Sequence, residues 1–426
     1  MSTRRNRTRR YLVKGGTALH GHVRVSGAKN QALAAMCASL LTDDYLVLEN
    51  VPDISDVESL GELLETIGAT VERLSPSTLR ISGKGANVFE APTELITENR
   101  ASFQIMGPLL ARHGFASSAP PGGDVIGQRP IDVHLSGFEA MGAAIGRDGE
   151  RYVLTRACGE RLHGARLFLD YPSVSGTQNV MMAAVLAEGS TTLVNAATEP
   201  EVQELARLLN LMGARISGIG TQILHIEGVP ELHGATARIM PDRIEAGTWA
   251  IAAVMTGGDL EIEDAPSEVM DAVVNKLRAT GALIEEREGG LRVAAQGTPR
   301  AVNFQALPYP GVATDLHAPL AALLTQAEGV SIVHERVFDN RMLYVGELRK
   351  LGAEIVSTSS SAVITGPTKL NGAHVRALDV RAGAAVLLAA LVAKGHTVID
   401  EIYHLDRGYE RLDHKLRSLG VEIERS

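Results

Sequence analysis

Apolar residues recur with helical spacing along this chain, and six of the helical segments end on the same short step. In 57-VESLGELLETIG-68 and 202-VQELARLLNLMG-213 the apolar side chains fall three or four positions apart, which predicts amphipathic helices with one buried face. A β-rich run follows each helix. The Gly-Ala or Gly-Val step between helix and strand recurs about every 70 residues, at Gly68, Gly142, Gly213, Gly281, Gly352 and Gly420.

This fixed period predicts one supersecondary unit copied six times along the chain. A Leu-His-Gly or Leu-Asn-Gly step also recurs, at 19–21, 162–164, 232–234 and 370–372, and each copy opens a short strand. The period leaves room for two strand–helix units and a closing strand. We therefore expect an α/β fold built from six βαβαββ-like repeats.

Six repeats in one chain favour two domains of three repeats each. Pro and Gly cluster in 228-GVPELHG-234 and 240-MPDR-243, so we place the middle junction there. The strand 22-HVRVS-26 lies just before the first helix, which predicts that it completes the last repeat of the other domain. The predicted domains, with the active site in the cleft between them, are a catalytic domain of 1–28 with 241–426 and a domain of 29–240 that carries a mobile loop at 120–129.

Composition narrows the class of protein. Hydrophobic residues make up 45% and charged residues 21% of the 426 positions, which is typical of a soluble globular protein. Aromatic residues are only 4%, so the core must be built from Leu, Val, Ile and Ala. The net charge of −9 argues against nucleic acid as a partner, because non-specific binding to phosphates needs an excess of cations.

The cysteines and the N-terminus favour a cytoplasmic protein. Cys37 and Cys158 are the two cysteines, too few for a disulfide framework. The basic stretch 1-MSTRRNRTRR-10 has no apolar segment after it, so we interpret it as a disordered tail and not a signal peptide; a nucleic-acid or membrane arm is the lesser alternative. The apolar run 382-AGAAVLLAALVA-393 is too short to cross a bilayer.

Polar turns open several predicted helices, and one of them carries a lysine. The first N–H groups of a helix have no intrahelical partner and lie at its positive end, so they favour anions. For a single turn, ordinary N-capping is the simpler interpretation. In 25-VSGAKNQAL, however, Lys29 opposes the dipole, and a bound anion explains it better than structure does.

The segment 120-PPGGDVIGQRPIDVH-134 is a second candidate. Its Pro and Gly residues prevent a regular element before Val125, and it carries Asp124 and Arg129. Loops of this kind often close over a substrate; a surface turn with a solvated Asp is the alternative. Arginines beside acids recur later, in 313-ATDLHAP-319, 338-FDNRML-343, 379-DVRAG-383 and 404-HLDRGYER-411.

Together these motifs resemble the UDP-N-acetylglucosamine enolpyruvyl transferases (UDP-N-acetylglucosamine 1-carboxyvinyltransferases). The resemblance runs from about Tyr11 to Arg425, and its motifs occur in one order. It implies the two-domain inside-out α/β barrel that these enzymes share with the 3-phosphoshikimate enolpyruvyl transferases. The motifs are 26-SGAKNQAL, 98-ENRAS, 106-MGPLLAR, 121-PGGDVIGQRPID, 171-YPSVSGTQNVM, 199-EPEV, 241-PDRIEAGT, 314-TD, 338-FDNR and 404-HLDRGYER.

The resemblance implies a definite reaction. The enolpyruvyl group of phosphoenolpyruvate (PEP) passes to the 3-hydroxyl of UDP-N-acetylglucosamine through a tetrahedral intermediate, with release of phosphate, as the first committed step of peptidoglycan synthesis. This chemistry needs an acid for carbon, a base for the hydroxyl and cations for PEP. We expect no cofactor and no metal, since the 13 histidines are scattered, and a monomer or weak homo-oligomer acting on small molecules.

The resemblance also assigns roles to residues. Asp124 stands at the position of the loop acid and Asp315 at that of the base, while Asp56 is a further acid of the cleft. PEP would be held by Lys29, Asn30, Arg129, Arg341, Arg381 and Arg407, of which Lys29 and Arg407 also rank as catalytic. UDP-N-acetylglucosamine would contact Arg100, Arg129, Pro130, Ile131, Asp132, Val133, Tyr171, Pro172, Ser173, Val174, Asp315 and Val337.

Two positions depart from the family pattern. Most members carry Cys where this chain has Asp124. Either can donate a proton, but a free Asp, with a pKa of about 3.9, must first be protonated. Fosfomycin alkylates the family's cysteine thiolate, so we expect this protein to resist covalent inactivation by fosfomycin. At 174-VSGT the family usually has Val-Gly-Ala-Thr, so Ser175 adds a side chain beside the diphosphate site.

Two other functions are the alternatives. A catalytically silent paralogue would bind the UDP-sugar without releasing phosphate from PEP. An enolpyruvyl transferase for another acceptor would be active with that acceptor and not with UDP-N-acetylglucosamine, although 129-RPID-132 favours a uridine-type nucleotide.

Overall fold

The computed structural model of the chain describes residues 9–124 and 130–426. Arg129 and the rest of the predicted loop at 125–128 lie outside these residues, as do residues 1–8 of the basic stretch. The described residues form two compact units. The terminal unit comprises 9–26, Asp124 and 241–426, and the middle unit comprises 27–123 and 130–240. Their roles as a catalytic domain and a loop-carrying domain stay predictions.

Short strands and helices alternate along the described chain. Its 23 strands are β1 (Arg10–Lys14), β2 (His20–Arg24), β3 (Leu46–Glu49), β4 (Thr70–Ser75), β5 (Thr78–Ser82), β6 (Phe115–Ser118), β7 (Ala144–Asp148), β8 (Arg151–Thr155), β9 (Arg166–Phe168), β10 (Ser190–Val194), β11 (Arg215–Ser217), β12 (Ile223–Glu227), β13 (Thr236–Arg238), β14 (Asp259–Glu263), β15 (Leu283–Arg287), β16 (Gly290–Ala294), β17 (Phe304–Ala306), β18 (Gly329–Glu335), β19 (Glu354–Ser357), β20 (Ser361–Gly366), β21 (His374–Arg376), β22 (His396–Asp400) and β23 (Ile423–Arg425). Its 14 α-helices are α1 (Lys29–Ala38), α2 (Ser55–Thr66), α3 (Thr93–Glu98), α4 (Met106–His113), α5 (Asp132–Ala140), α6 (Val174–Ala184), α7 (Pro200–Leu211), α8 (Arg243–Thr256), α9 (Asp271–Ala279), α10 (His317–Leu324), α11 (Tyr344–Lys350), α12 (Val380–Val392), α13 (Tyr403–Asp406) and α14 (Leu412–Ser418).

Each of the six repeats has one small sheet with the same plan. In the third repeat β9 leads through α6 to β10, which lies parallel to β9, and α7 then leads to the antiparallel hairpin β11–β12. The strand order is β11-β12-β10-β9, and four other sheets follow it with four strands. The sheet of the second repeat has three strands, and Glu90, bridged to Ser117, occupies the fourth place. The predicted α/β fold of six repeats is confirmed.

Three strands join sheets far from them in sequence. β13 lies parallel to β3 in the first repeat, and β2 lies parallel to β14 in the fourth. The strand predicted at 22–26 is this β2, so it belongs to the fourth repeat and not to the last. In the sixth sheet, the second strand of the hairpin does not come from the last repeat. β1 takes this place between β22 and β23 and runs antiparallel to both.

The first long helix of each repeat is the core of its unit. α10 is buried over its whole length, and α1, α4, α6, α8 and α12 nearly so. These helices are rich in Ala and lack aromatic residues apart from Trp249, which allows close packing of one on another. The second helix of a repeat, such as α7, buries only one face. No helix of the described chain is long and apolar enough to cross a membrane.

The repeated glycine has a conformational reason. All six step glycines have φ between 86° and 104°, the left-handed region in which glycine carries no steric penalty. The residue after the central strand of four repeats is also left-handed, although it is not glycine: these residues are Asn50, Asn195, Asp264 and Glu401. Asn and Asp tolerate this region better than other residues with a Cβ.

Candidate active site

Lys29 opens α1 at the turn predicted to bind an anion. The turn is tight, since a Cβ on Gly27 would stand 1.7 Å from the carbonyl oxygen of Asn50. Lys29 is 9% exposed, and its Nζ lies 2.5 Å from Oδ2 of Asp56, a buried residue at the start of α2. Lys29 therefore has a charged partner within the protein, and its position alone does not require a bound anion. The neighbouring Asn30 is exposed.

The first group predicted to contact the nucleotide lies before α4 and α5 in the middle unit. Arg100 begins a 3-10 turn, where the side chain of Asn99 accepts a hydrogen bond from the backbone of Ala101. The Nη2 of Arg100 lies 3.4 Å from the carbonyl oxygen of Pro130. Asp132 is exposed at the start of α5. The structure thus places Arg100 next to the 130–133 stretch, while Arg129 lies outside the described residues.

The second group leads into α6. Tyr171 is 40% exposed, and the side chain of Ser173 caps the helix by accepting a hydrogen bond from the backbone N of Gly176. The first turn of α6 contains no acidic side chain. Ser175, whose effect on this site the sequence left open, has its Oγ 3.2 Å from Nε2 of buried His134. Other residues of the two groups are buried Ile131 and half-buried Val133, Pro172 and Val174.

Asp315 lies between two arginines in the terminal unit. It belongs to a 3-10 turn that leads into α10. Arg341 donates to Oδ1 and Arg381 to Oδ2 of Asp315, both at 2.9 Å, and both arginines are nearly fully buried. Asp379 caps α12 and so fixes Arg381 in its first turn. The predicted base is therefore in contact with two predicted PEP ligands, and such pairing favours the charged carboxylate.

Asp124, the predicted acid, is in contact with Arg407, another predicted PEP ligand. The pair joins Oδ1 to Nη1, and each side chain is 14% exposed. Arg407 directly follows the short helix α13, which carries His404. Burial, and then the charge of Arg407, lower the pKa of His404, so this imidazole is neutral near pH 7. An arginine stabilises an ionised carboxylate, so Asp124 is a poor proton donor while this contact lasts.

Glu335 is a residue of this region that the sequence did not single out. It ends β18 and is 3% exposed, and burial raises its pKa against the opposing effect of its hydrogen bonds. Its Oε1 accepts from the backbone N of Val337 at 2.7 Å and of Phe338 at 3.2 Å. Its Oε2 accepts from Thr314 Oγ1 at 2.7 Å, which in turn accepts from Arg341. One buried carboxylate thus holds both the Val337 loop and the turn that contains Asp315.

The chain matches known proteins over nearly its whole length. The family model described as EPSP synthase (3-phosphoshikimate 1-carboxyvinyltransferase) matches residues 13–416. UDP-N-acetylglucosamine 1-carboxyvinyltransferase 1 of Caldanaerobacter subterraneus is 48% identical over 416 residues, covering 98% of this chain and 99% of that protein. The chain belongs to the UDP-N-acetylglucosamine 1-carboxyvinyltransferases, within the EPSP synthase family. Two further proteins named UDP-N-acetylglucosamine 1-carboxyvinyltransferase are each 45% identical to this chain. The match with the protein of Desulforapulum autotrophicum covers 97% of this chain and 98% of that protein. The match with the protein of Gluconobacter oxydans covers 98% of this chain and 99% of that protein.

Solved structures of enolpyruvyl transferases share the fold. The enolpyruvyl transferase NikO from Streptomyces tendae matches with a TM-score of 0.89 and 25% identity, over 99% of both chains. EPSP synthase from Acinetobacter baumannii matches with a TM-score of 0.78 and 19% identity, over 98% of this chain and 100% of that one. The sequence relatives thus confirm the resemblance inferred from the motifs, and the solved structures confirm the enolpyruvyl transferase fold.

Proposed function

We propose that this chain transfers the enolpyruvyl group of PEP to the 3-hydroxyl of UDP-N-acetylglucosamine and releases phosphate, the first committed step of peptidoglycan synthesis. The observation that carries this is the name shared by relatives 45–48% identical over nearly the whole chain. The ion pairs of the candidate site supply the groups that the chemistry needs. We place the reaction in the cytoplasm, with small molecules as the partners of a monomer or weak homo-oligomer.

PEP competes with the protein's own carboxylates for the same cations. Its phosphate and carboxylate are anions, and the residues proposed to hold them are already paired: Arg407 with Asp124, and both Arg341 and Arg381 with Asp315. Binding of PEP would therefore weaken the contacts of both aspartates. Lys29, paired with Asp56, would contribute in the same way, together with Asn30 and Arg129.

The transfer of Arg407 from Asp124 to PEP explains how an aspartate can serve as the acid. Once the PEP phosphate takes Arg407, Asp124 loses the charge that stabilises its ionised form and gains an anionic neighbour. Both changes favour the protonated carboxyl. Asp124 then donates its proton to the methylene carbon of PEP, and the adjacent carbon becomes the electrophile.

The remaining steps use Asp315 and reverse the proton transfer. As the 3-hydroxyl attacks, its proton passes to Asp315 and a new C–O bond completes the tetrahedral intermediate. The Asp124 carboxylate then takes a proton back from the methyl group, the C–O bond to phosphate breaks, and the enolpyruvyl ether forms. The proton held by Asp315 leaves with the phosphate as hydrogen phosphate. Glu335 positions Asp315 indirectly, since it holds Thr314 and Arg341.

The test is phosphate release from purified protein mixed with PEP and UDP-N-acetylglucosamine. We expect release that requires both substrates, and a product that carries the enolpyruvyl group by mass spectrometry. The isosteric variant Asp315→Asn should lose at least about a hundredfold in turnover, the usual scale for a general base. Nucleotide binding without phosphate release by the unaltered protein would identify a silent paralogue. Release only with another acceptor would identify a different transferase.

A further inference from the structure

A buried hydrogen-bond chain ends at Ser175, at the start of α6. Its inner end is Asn179, which is fully buried. The Oδ1 of Asn179 accepts from the backbone N of Gly107 at 2.8 Å, which fixes the orientation of the amide. Its Nδ2 lies 3.0 Å from the carbonyl oxygen of Phe103 and 2.9 Å from Nδ1 of His134. Both hydrogens of the amide are therefore donated, one of them to His134.

This contact determines the tautomer of His134. The ring is 2% exposed, and burial, then the charge of Arg100, lower its pKa to about 3. His134 is thus neutral near pH 7, with one nitrogen protonated. Since Nδ1 accepts from Asn179, the hydrogen is on Nε2. Nε2 then donates to the Oγ of Ser175 at 3.2 Å.

The hydroxyl hydrogen of Ser175 is consequently directed away from His134. Ser175 is half-exposed and is the second residue of α6. The helix dipole and the guanidinium of Arg100, which acts on the same imidazole, both make this region favourable for negative charge. A serine hydroxyl that accepts on one side and can donate on the other fits an anionic oxygen.

We propose that Ser175 donates its hydroxyl hydrogen to a phosphate oxygen of the sugar nucleotide, and that His134 and Asn179 hold it in that direction. The inference rests on the proposed function, which places the nucleotide along Tyr171–Val174. Because the resembling family usually has glycine at this position, the hydroxyl is a contact that this chain adds to the nucleotide site.

The first test measures UDP-N-acetylglucosamine binding by calorimetry in the unaltered protein, Ser175→Ala and Ser175→Gly. A hydrogen bond to a charged group predicts about tenfold weaker binding in both variants. The matched control is Ser217→Ala, an exposed serine of the same unit, which should bind normally. KM for UDP-N-acetylglucosamine should rise in the Ser175 variants while KM for PEP stays unchanged. Normal binding by both Ser175 variants would overturn the inference.

The second test addresses the orienting residues. His134→Asn retains an acceptor for Asn179 and removes the Nε2 donor, so Ser175→Ala should then cost less than about threefold in affinity. An undiminished tenfold loss in that background would show that His134 does not orient the hydroxyl. A further measurement needs no variant. ¹⁵N NMR of the unaltered protein should show the Nε2–H tautomer of His134, and the Nδ1–H tautomer would refute the proposed hydrogen-bond chain.

Measurements on the unaltered protein separate this inference from the proposed function. If the unaltered protein turns over both substrates while the Ser175 variants bind normally, only this inference is lost. If the unaltered protein does not bind UDP-N-acetylglucosamine at all, the proposed function and this inference are both overturned.

Discussion

Asp124 is in contact with Arg407, and we propose it as the acid of the reaction; these two roles oppose each other. The ion pair favours the charged carboxylate, whereas acid catalysis requires the proton. The proposed exchange of Arg407 from Asp124 to the PEP phosphate would reconcile the two. Both residues were assigned from the sequence by resemblance, but their contact joins positions 283 apart, which no local pattern reveals.

Asp124→Asn tests the acid role directly. An amide cannot supply the proton, so turnover should fall by at least about a hundredfold. Because the nucleotide is assigned to other residues, the Kd for UDP-N-acetylglucosamine should stay within about twofold. Asp148→Asn, an exposed residue at the end of β7, is the matched control and should be fully active. Normal turnover in Asp124→Asn would remove Asp124 from the acid role.

Fosfomycin offers a second test at the same position. An epoxide alkylates a thiolate far more readily than a carboxylate, so the unaltered protein should keep its activity and its mass after incubation with fosfomycin and the sugar nucleotide. Asp124→Cys should be inactivated and gain one inhibitor mass, which shows that the site admits the compound. A stable adduct on Asp124 itself is the result that contradicts this prediction.

Lys29 and Glu335 show where reasoning from sequence stops at the residue scale. Lys29 is conspicuous because it opposes a helix dipole, yet its partner Asp56 lies on another helix and could not be read from spacing. Glu335 ends an ordinary alternating strand, and its burial and three hydrogen bonds come from the packing of β18 against the turn at Thr314. The partner of Lys29 and the burial of Glu335 are both determined by tertiary contacts, which the sequence does not reveal.

At the scale of elements, the step glycines make the repeat visible in the amino-acid sequence itself. The left-handed conformation allows only a few residue types, so the sequence retains a mark at each step. The amino-acid sequence carries no comparable mark that tells which strand completes which sheet. β2 fits the fourth sheet and β1 the sixth, but their alternation of apolar and polar residues suits either place.

A pair of glycine substitutions tests this reasoning. Gly420 has φ of 86° and open space around its Cβ position, so Gly420→Ala should lower the free energy of unfolding by about 1–2 kcal/mol through backbone strain alone. Gly346 lies within α11, also with open space and without a positive φ. Gly346→Ala should raise stability by about 0.5–1 kcal/mol. Urea unfolding of both variants measures the contrast, and equal effects would contradict it.

For the whole molecule, the class, the six repeats and the family followed from the sequence because the marks are spread over the entire chain. The assigned roles of the site residues stay predictions. The buried histidines were less visible. His134 in α5 and His317 in α10 are buried, because of packing that leaves no mark in the sequence.

These histidines predict how stability depends on pH. Burial lowers the pKa of His134 and His317 to about 3 and that of His113 to about 4, whereas unfolded histidine has a pKa of about 6.5. Between these values the unfolded state binds more protons, so stability is full above pH 6.5 and falls as pH falls. At pH 5 each fully buried histidine should cost about 2 kcal/mol.

Thermal unfolding between pH 7.5 and pH 5 measures this effect. His317→Asn should show a smaller loss of Tm over that interval than the unaltered protein, whatever its Tm at pH 7.5. The control is His414→Asn, at an exposed position. Its Tm should depend on pH as that of the unaltered protein does. If His317→Asn loses as much Tm as the control, His317 is not held neutral in the folded protein.

Reaction in D₂O, followed by ¹H NMR of the product, tests the central claim most directly. Addition of a solvent-derived deuteron from Asp124 to the methylene carbon, and loss of one hydrogen from the resulting methyl group, should place deuterium in the vinyl group of the enolpyruvyl ether while phosphate is released in equal amount. The control Asp148→Asn should give the same product and Asp124→Asn none. A vinyl group free of deuterium, or no enolpyruvyl ether at all, would contradict the account.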